Sequence, residues 1–211
     1  MRYQFPCLIP AVFDKVVQKM IGPIMRLRNR ILCWLWGVVC GKGCCISGRA
    51  IFRARKRGEI VLGENVVLNS DGRTNLVGLL NPTIVETLQG GRVEIGDNTG
   101  ASSLIVSSAL SVKIGARCMI GGNVRIYDHD YHSLNFKDRG TCRDKINMRK
   151  RAVEIGNDCF IGANAIILKG TKIGDRSIVA AGSVVFGLEV PPDAVVKGNP
   201  GEVVRALRKL A

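Results

Sequence analysis

Two periodicities divide the chain. Between residues 13 and 35 apolar side chains fall at Phe13, Val16, Val17, Met20, Ile24, Leu27, Ile31 and Leu35, three and four apart, which lays one stripe along a helix. Lys15, Gln18, Lys19, Arg26 and Arg30 take the opposite face, and Pro23 is expected to kink the helix or divide it. The stretch ILCWLWGVVC that follows from Ile31 is the most apolar in the chain. Its ten residues reach only half of the roughly 20 that a hydrocarbon core needs, so no transmembrane helix is expected.

The second period is six. From Ile155 the chain reads IGNDCF, IGANAI, ILKGTK, IGDRSI, VAAGSV and then Val185, so that Ile155, Ile161, Ile167, Ile173, Val179 and Val185 share one phase. Four residues after each of the first five stands a small side chain: Cys159, Ala165, Thr171, Ser177 and Ser183. The same phase holds from Ile114 through Ile120 to Ile126. Ile46 with Phe52, Leu62 with Gly63 and Leu68, and Ile95 with Gly96 and Ala101 are in-phase fragments separated by slips, which read as coils with insertions. Six is neither the helical 3.6 nor the strand period of 2. It fits a short flat strand plus a turn, three of which close a triangular coil of about 18 residues in a parallel β-helix. The large aliphatic residue fills the interior, the small one lets the corner close, and the adjacent Gly relieves backbone crowding.

Composition agrees with that geometry: Gly is 25 of 211 residues, and aromatic residues reach only 5%. Cys118 and Cys159 occupy the small slot, so packing accounts for them without redox chemistry. Cys40, Cys44 and Cys45 have neither CxxC spacing nor a nearby His, and no metal site is expected. An N-terminus without an uninterrupted hydrophobic region and small-residue cleavage site points to a cytoplasmic protein with reduced thiols. The net charge of +14 is concentrated at one end. Residues 1–57 hold 12 basic residues and the single acid Asp14. Aromatic residues do not interleave with these charges and no reading motif accompanies them, which argues against nucleic acid. An interfacial helix, with Trp34 and Trp36 at the headgroups and Lys and Arg on anionic lipid, is one expectation for this segment. A helical cap over the core of its own or a neighbouring subunit is the other. The run Arg53, Arg55, Lys56, Arg57 is a separate candidate for lipid or acidic polysaccharide.

Between Ile126 and Ile155 the repeat stops for the polar excursion YDHDYHSLNFKDRGTCRDKINMRKRAVE and then resumes in register. A solenoid core excludes such a segment, and ordered excursions of this length commonly carry function. This one holds both histidines of the chain, His129 and His132, with Asp128 and Asp130 beside them and seven basic residues from Lys137 to Arg151.

The hexads and the stretch YDHDYHSL together resemble the hexapeptide-repeat acyltransferases, in particular the branch of maltose, galactoside and polysaccharide O-acetyltransferases. The resemblance spans about residues 58–205 and is strongest from Ile114 onward. It implies an all-β, left-handed parallel β-helix of hexapeptide repeats, a homotrimer, and transfer of an acetyl group from acetyl-CoA to a hydroxyl of a sugar or surface-polysaccharide precursor. On this footing residues 1–57 form a basic, helical N-terminal extension and residues 58–190 the β-helix with a catalytic loop at 127–153. Residues 191–211 then form a turn and short C-terminal helix.

The HSL of His132, Ser133 and Leu134 matches the family's loop, which implies that His132 is the general base. Asp130, and beside it Asp128, are candidates to orient the ring. His129 stands where relatives often have a small polar residue. The match of IGAN and VAAGSV implies that Ala163 and Ala181, with Gly162 and Ser183 as neighbours, line the pantetheine arm of acetyl-CoA. Phe186 and Gly187 replace the family's Thr-Lys pair near the cofactor phosphates, so those contacts are expected from Lys197 or Arg205. Two histidines cannot supply the three His ligands of the metal-dependent hydratases built on this scaffold. The other readings are an N-acetyltransferase or antibiotic acetyltransferase on the same fold and a non-catalytic β-solenoid scaffold. A basic N-terminus would hold the enzyme at the inner face of the cytoplasmic membrane, near lipid-linked intermediates.

Overall fold

Apolar residues six apart can all point inward only if the chain turns by a third of a circle after each hexad, and the chain does so. The computed structural model describes residues 8–72, 75 and 77–206. Within them, strands of two to five residues stack into three sheets of seven, eight and six strands, the faces of a triangular prism. Up to the Ala194–Lys197 strand, strand follows strand from the first face to the second to the third, and each pairs in parallel with its counterpart one coil away.

The hexad residues form three inward columns. Leu62, Ile95, Ile114, Ile155, Ile173 and Val190 stand in register on the first face. Ile46, Leu68, Ala101, Ile120, Ile161 and Val179 do so on the second. Phe52, Val85, Val106, Ile126, Ile167 and Val185 line the third. Nearly all are buried to within a few per cent, so the core is one continuous apolar column along the prism axis.

The small slot has a second duty. At the corner between the first and second faces, Cys44, Thr99, Cys118, Cys159 and Ser177 donate to the carbonyls of Gly63, Gly115, Gly156, Gly174 and Pro191, each one coil further on. Five of the corner residues here are small and carry a donor, a thiol serving both ends, while Val66 fills the same slot of the second coil without one. At this corner the glycine is required by contact: a Cβ on Gly115 would be driven into the Gly156 carbonyl. The fourth hexad position turns the chain through a left-handed conformation, as at Asn98, Arg117, Asp158, Arg176 and Asp193 with φ between 56° and 59°. Arg117 and Asp158, and Arg176 and Asp193, pair bidentately across adjacent coils at 2.6–2.7 Å.

Three expectations change. The first coil begins at Val39 rather than near residue 58, because Ile46 and Phe52 are inward members of the columns. Of the kink or division expected at Pro23, division does not occur: the N-terminal helix, α1 (Leu8–Leu35), runs through it. Residues 202–206 form a strand instead of the expected C-terminal helix, while residues 207–211 lie outside the described residues. The Ala194–Lys197 strand would otherwise end the second sheet with an open edge, and Glu202–Ala206 closes it antiparallel, Lys197 facing Glu202.

From Met20 onward the apolar stripe of α1 does not meet the core, while the side chains of Phe13, Val16 and Val17 lie outside those described. The helix rests on the first coil by the opposite side, through Met25, Asn29 and Cys33. Asn29 is buried, and its Nδ2 donates to the carbonyls of Ile46 and Gly48 at 2.9 Å, which pairs two acceptors on the free edge of the first strand of the second sheet. The helix stops at Gly37, φ 62°, where Val38 N–H reaches the Cys33 carbonyl at 2.8 Å in a Schellman turn.

Column packing makes a stability prediction. Ile126→Ala, at a site with no solvent exposure, should cost about 2–5 kcal/mol through lost burial and the cavity left behind. Leu134→Ala, on the exposed excursion, should stay within about 0.5 kcal/mol. Denaturant midpoints measured on the two variants check the contrast.

Candidate active site

The fourth coil ends at the strand Arg125–Tyr127, and the chain leaves the prism before re-entering at Val153–Ile155. Its departure removes the backbone that would have met the corner of the coil before, and Asp128 takes its place. The buried carboxylate accepts from the amides of Ala109, Leu110 and Ser111 at 2.7–2.9 Å, from the Ser108 hydroxyl at 2.7 Å and from His129 Nδ1 at 3.0 Å. Burial alone would raise this carboxyl, but the His129 ring and the surrounding donors outweigh it and hold it below the usual range. Asp128 is therefore occupied with folding, and His129 is buried beside it, packed against Tyr131 at 4.4 Å between ring centroids.

Outgoing and returning strands of the excursion close on each other. Asp130 N–H donates to the Arg149 carbonyl at 3.1 Å and Arg151 N–H to that of Asp128 at 2.8 Å. At Tyr131 the backbone is left-handed, φ 61°, and His132 N–H bonds back to the Asp130 carbonyl at 2.7 Å. That tight turn separates neighbours that looked equivalent. Asp130 is directed inward to an ion pair with Lys169, whose ammonium lies 4.6 Å from the centre of the Phe186 ring. His132 is directed outward, with its side chain 62% exposed. Asp130 does not reach His132, which corrects the expectation that it orients the ring.

The carboxylate that does so is Asp144, on the single-turn helix α2 (Arg143–Ile146). Its Oδ2 meets His132 Nδ1 at 2.7 Å, and its Oδ1 accepts from the Ser133 amide at 2.7 Å. Those two partners hold the Asp144 carboxyl below its ordinary value. Around the pair the loop is tied into one unit. Asp138 accepts from the Ser133 hydroxyl at 3.0 Å and from Asn147 Nδ2 at 2.8 Å, and Lys145 Nζ reaches the Tyr131 carbonyl at 2.7 Å. The Tyr131 phenol, pushed up by burial and so protonated, donates to Glu86 Oε1 at 3.0 Å. The result is an exposed imidazole whose Nδ1 is committed to a fixed anion and whose Nε2 is left to face a ligand, the arrangement of a general base. Asp144 lies 12 residues from His132, and nothing in the sequence distinguishes it from the other acids of the excursion.

The residues expected at the donor sit elsewhere. Ala163 and Ala181 lie at the corner between the second and third faces, joined by a bond from Gly182 N–H to the Ala163 carbonyl at 2.9 Å. Ala181 is exposed and Ala163 half-buried, so this strip presents backbone and methyl groups to solvent. Gly162 is buried, and a Cβ there would meet the Ala181 amide; Ser183 is buried with its hydroxyl accepting from Gly198 N–H at 3.2 Å. The small size of these two is thus already demanded by packing. Lys197 is exposed on the last parallel strand, and Arg205 stands opposite Val195 in the closing strand. Within one chain, the His132 excursion and the Ala163–Ala181 strip occupy different corners of the prism. Among the described residues no group of three or more His, Cys, Asp or Glu gathers as metal ligands.

Comparison with known proteins bears on this geometry. Residues 152–186 match the family model described as the hexapeptide repeat of succinyl-transferase. The chain is 30% identical over 156 residues to WbbJ of Escherichia coli K12, named for O-acetyl transfer in lipopolysaccharide biosynthesis; the match covers 72% of this chain and 74% of that protein. It is 31% identical over 121 residues to the galactoside O-acetyltransferase of the same organism, 56% of each chain. The crystal structure of the hexapeptide-repeat acetyltransferase VCA0836 of Vibrio cholerae in complex with acetyl-coenzyme A superposes with a TM-score of 0.54 at 26% identity, over 86% of this chain and 77% of that one.

If the His132 ring and the Ser133 amide depress Asp144, removing the ring must raise it. In His132→Ala the Asp144 carboxyl should titrate closer to the ordinary carboxylate value, read by NMR of its side-chain carbon across acid pH. The sign for loop stability follows: the Asp144 contribution is complete above the ordinary carboxylate range and is lost as pH falls through the depressed value.

Proposed function

Because the chain belongs to the hexapeptide-repeat acyltransferases, we propose that it transfers the acetyl group of acetyl-CoA to a hydroxyl of a sugar or surface-polysaccharide precursor, with His132 as general base and Asp144 as its positioning carboxylate. The observation that carries this reading is the 2.7 Å bond from His132 Nδ1 to a buried carboxylate beneath a largely exposed ring. The likeness to a protein named for lipopolysaccharide O-acetyl transfer and to a galactoside O-acetyltransferase supports a saccharide hydroxyl as acceptor.

A sugar hydroxyl is a poor nucleophile at neutral pH. In this reading His132 Nε2 takes its proton as the oxygen attacks the thioester carbonyl, a contribution of roughly 10²–10⁴-fold. Nδ1–H stays on Asp144, which fixes the tautomer and stabilises the imidazolium. His132 then returns the proton to the departing sulfur of CoA. The pantetheine arm runs along Ala163 and Ala181, where no side chain beyond a methyl obstructs the backbone, with Gly162 and Ser183 shaping the strip from below. The phosphates fall to Lys197 or Arg205. Since strip and base lie at different corners of one chain, the reading includes a homotrimer in which neighbouring copies complete each site. Among the described residues no helix is long and apolar enough to cross a membrane. We place the protein in the cytoplasm, its basic N-terminal segment against the inner face of the cytoplasmic membrane, beside lipid-linked acceptors.

Incubation with labelled acetyl-CoA and a panel of nucleotide sugars, lipid-linked oligosaccharides, amino sugars and free sugars tests the acceptor class; label on an amine alone would replace the O-acetyl reading. His132→Ala and Asp144→Asn should each lower kcat by about 10²–10⁴-fold. Both should keep the oligomeric state and the rise in Tm that acetyl-CoA produces by binding the native state. Near-normal turnover by His132→Ala removes it from this role, and a wild-type Tm indifferent to acetyl-CoA favours a scaffold.

A further inference from the structure

An amphipathic helix ordinarily turns its apolar stripe to the core, and α1 does the reverse. Met20, Ile24, Leu27, Ile31, Trp34 and Leu35 lie on its outer side with exposures between 49% and 75%. The helix is already anchored from behind by Asn29 and Cys33, on the side away from this stripe. A contiguous apolar face of this length is uncommon on a protein surface and marks a contact.

Charge around the face identifies the contact. Lys19, Arg26 and Arg30 are exposed along one flank of the helix, and no Asp or Glu occurs between Lys15 and Gly58. At the C-terminal end of α1 the Gly58 amide bonds to the Gly37 carbonyl at 2.9 Å, and Gly37 packs on the Arg57 backbone. That junction brings the turn Arg55–Lys56–Arg57 beside Trp34 and Trp36, around an open cleft of about 400 Å³. Two indoles bordered by cations at the end of an apolar stripe have the chemistry of a lipid headgroup zone. Another copy of the same face would bring only like charges against these cations.

We propose that the outer face of α1, continued by the Arg55–Arg57 turn, is an in-plane docking surface for an anionic lipid bilayer. The proposal deepens the membrane placement given above, but does not depend on which acceptor is acetylated. It also sets an orientation. Asn29 caps the free edge of the first coil, so the bilayer lies beyond that end of the prism. The excursion bearing His132 leaves the fourth coil, three inter-strand steps or about 15 Å along the axis. The base therefore stands away from the lipid surface, at the height of a saccharide borne on a membrane-anchored carrier rather than of the carrier's lipid.

The test uses the full-length protein and co-sedimentation with vesicles of phosphatidylcholine alone or mixed with phosphatidylglycerol. Affinity for the anionic vesicles should exceed that for the neutral ones by more than about tenfold and fall with salt. Ile24→Asp combined with Leu27→Asp should lose more than about tenfold of this affinity, and Arg55→Glu combined with Lys56→Glu should reduce it similarly. Sedimentation velocity and the acetyl-CoA shift in Tm, measured on the same samples, should not change, which separates failure of the surface from failure of the enzyme reading. No wild-type binding, equal binding to both vesicle types, or full binding by the Asp variant overturns the proposal. Dissociation of the oligomer in that variant would instead assign the face to a contact between copies.

Discussion

The structure depends on how a corner closes. Three flat strands per coil leave the interior only as wide as three aliphatic side chains, and each corner must turn against the backbone of the next coil. The donor in the small slot meets the carbonyl one coil on: Cys118 with Gly156, Cys159 with Gly174, Ser177 with Pro191. Replacing one of these donors by an apolar group would leave its carbonyl without that partner. Parallel pairing, the columns of Ile and Val, and the run of glycines all follow from that closure.

The same requirement explains the candidate active site. A chain that leaves the prism uncovers amides on the coil behind it, and the Asp128 carboxylate satisfies those of Ala109, Leu110 and Ser111. With the departure repaired, the excursion can fold on its own terms, and a left-handed residue at Tyr131 sends Asp130 inward and His132 outward. The two histidines, three residues apart, thereby acquire opposite characters: one buried against Asp128, the other exposed and held by Asp144. Rigidity for the base comes from the loop's own hydrogen bonds to Asp138, Asp144 and the Tyr131 carbonyl.

At the other end of the prism the first coil also lacks a neighbour. Asn29 supplies donors to Ile46 and Gly48, so a polar residue does the work that the cap reading gave to the apolar stripe, which from Met20 onward faces outward. The last coil solves the matching problem with Glu202–Ala206 paired antiparallel on Ala194–Lys197. The second sheet is thus met at both ends by local means, one a side-chain amide and the other a reversed strand.

Much of this was legible in the residues. The hexads from Ile114 and Ile155, and even the fragments at Ile46, Leu62 and Ile95, are the columns of the prism, because a six-residue period has one compact solution. The excursion and its histidines were legible as a break in that period. Asp144 was not, nor was the division of labour between Asp128 and Asp130, since sequence proximity says nothing of direction after a left-handed turn. The face of α1 was left open between an interfacial helix and a cap for a related reason: periodicity shows that a helix has an apolar side, but not what lies across from it. The repeat, the core and the place where the chain leaves it could be read from the residues alone, because these are local and periodic. Which carboxylate holds His132 and which side of α1 meets the first coil emerged in the folded chain, because both depend on how separate segments are brought together.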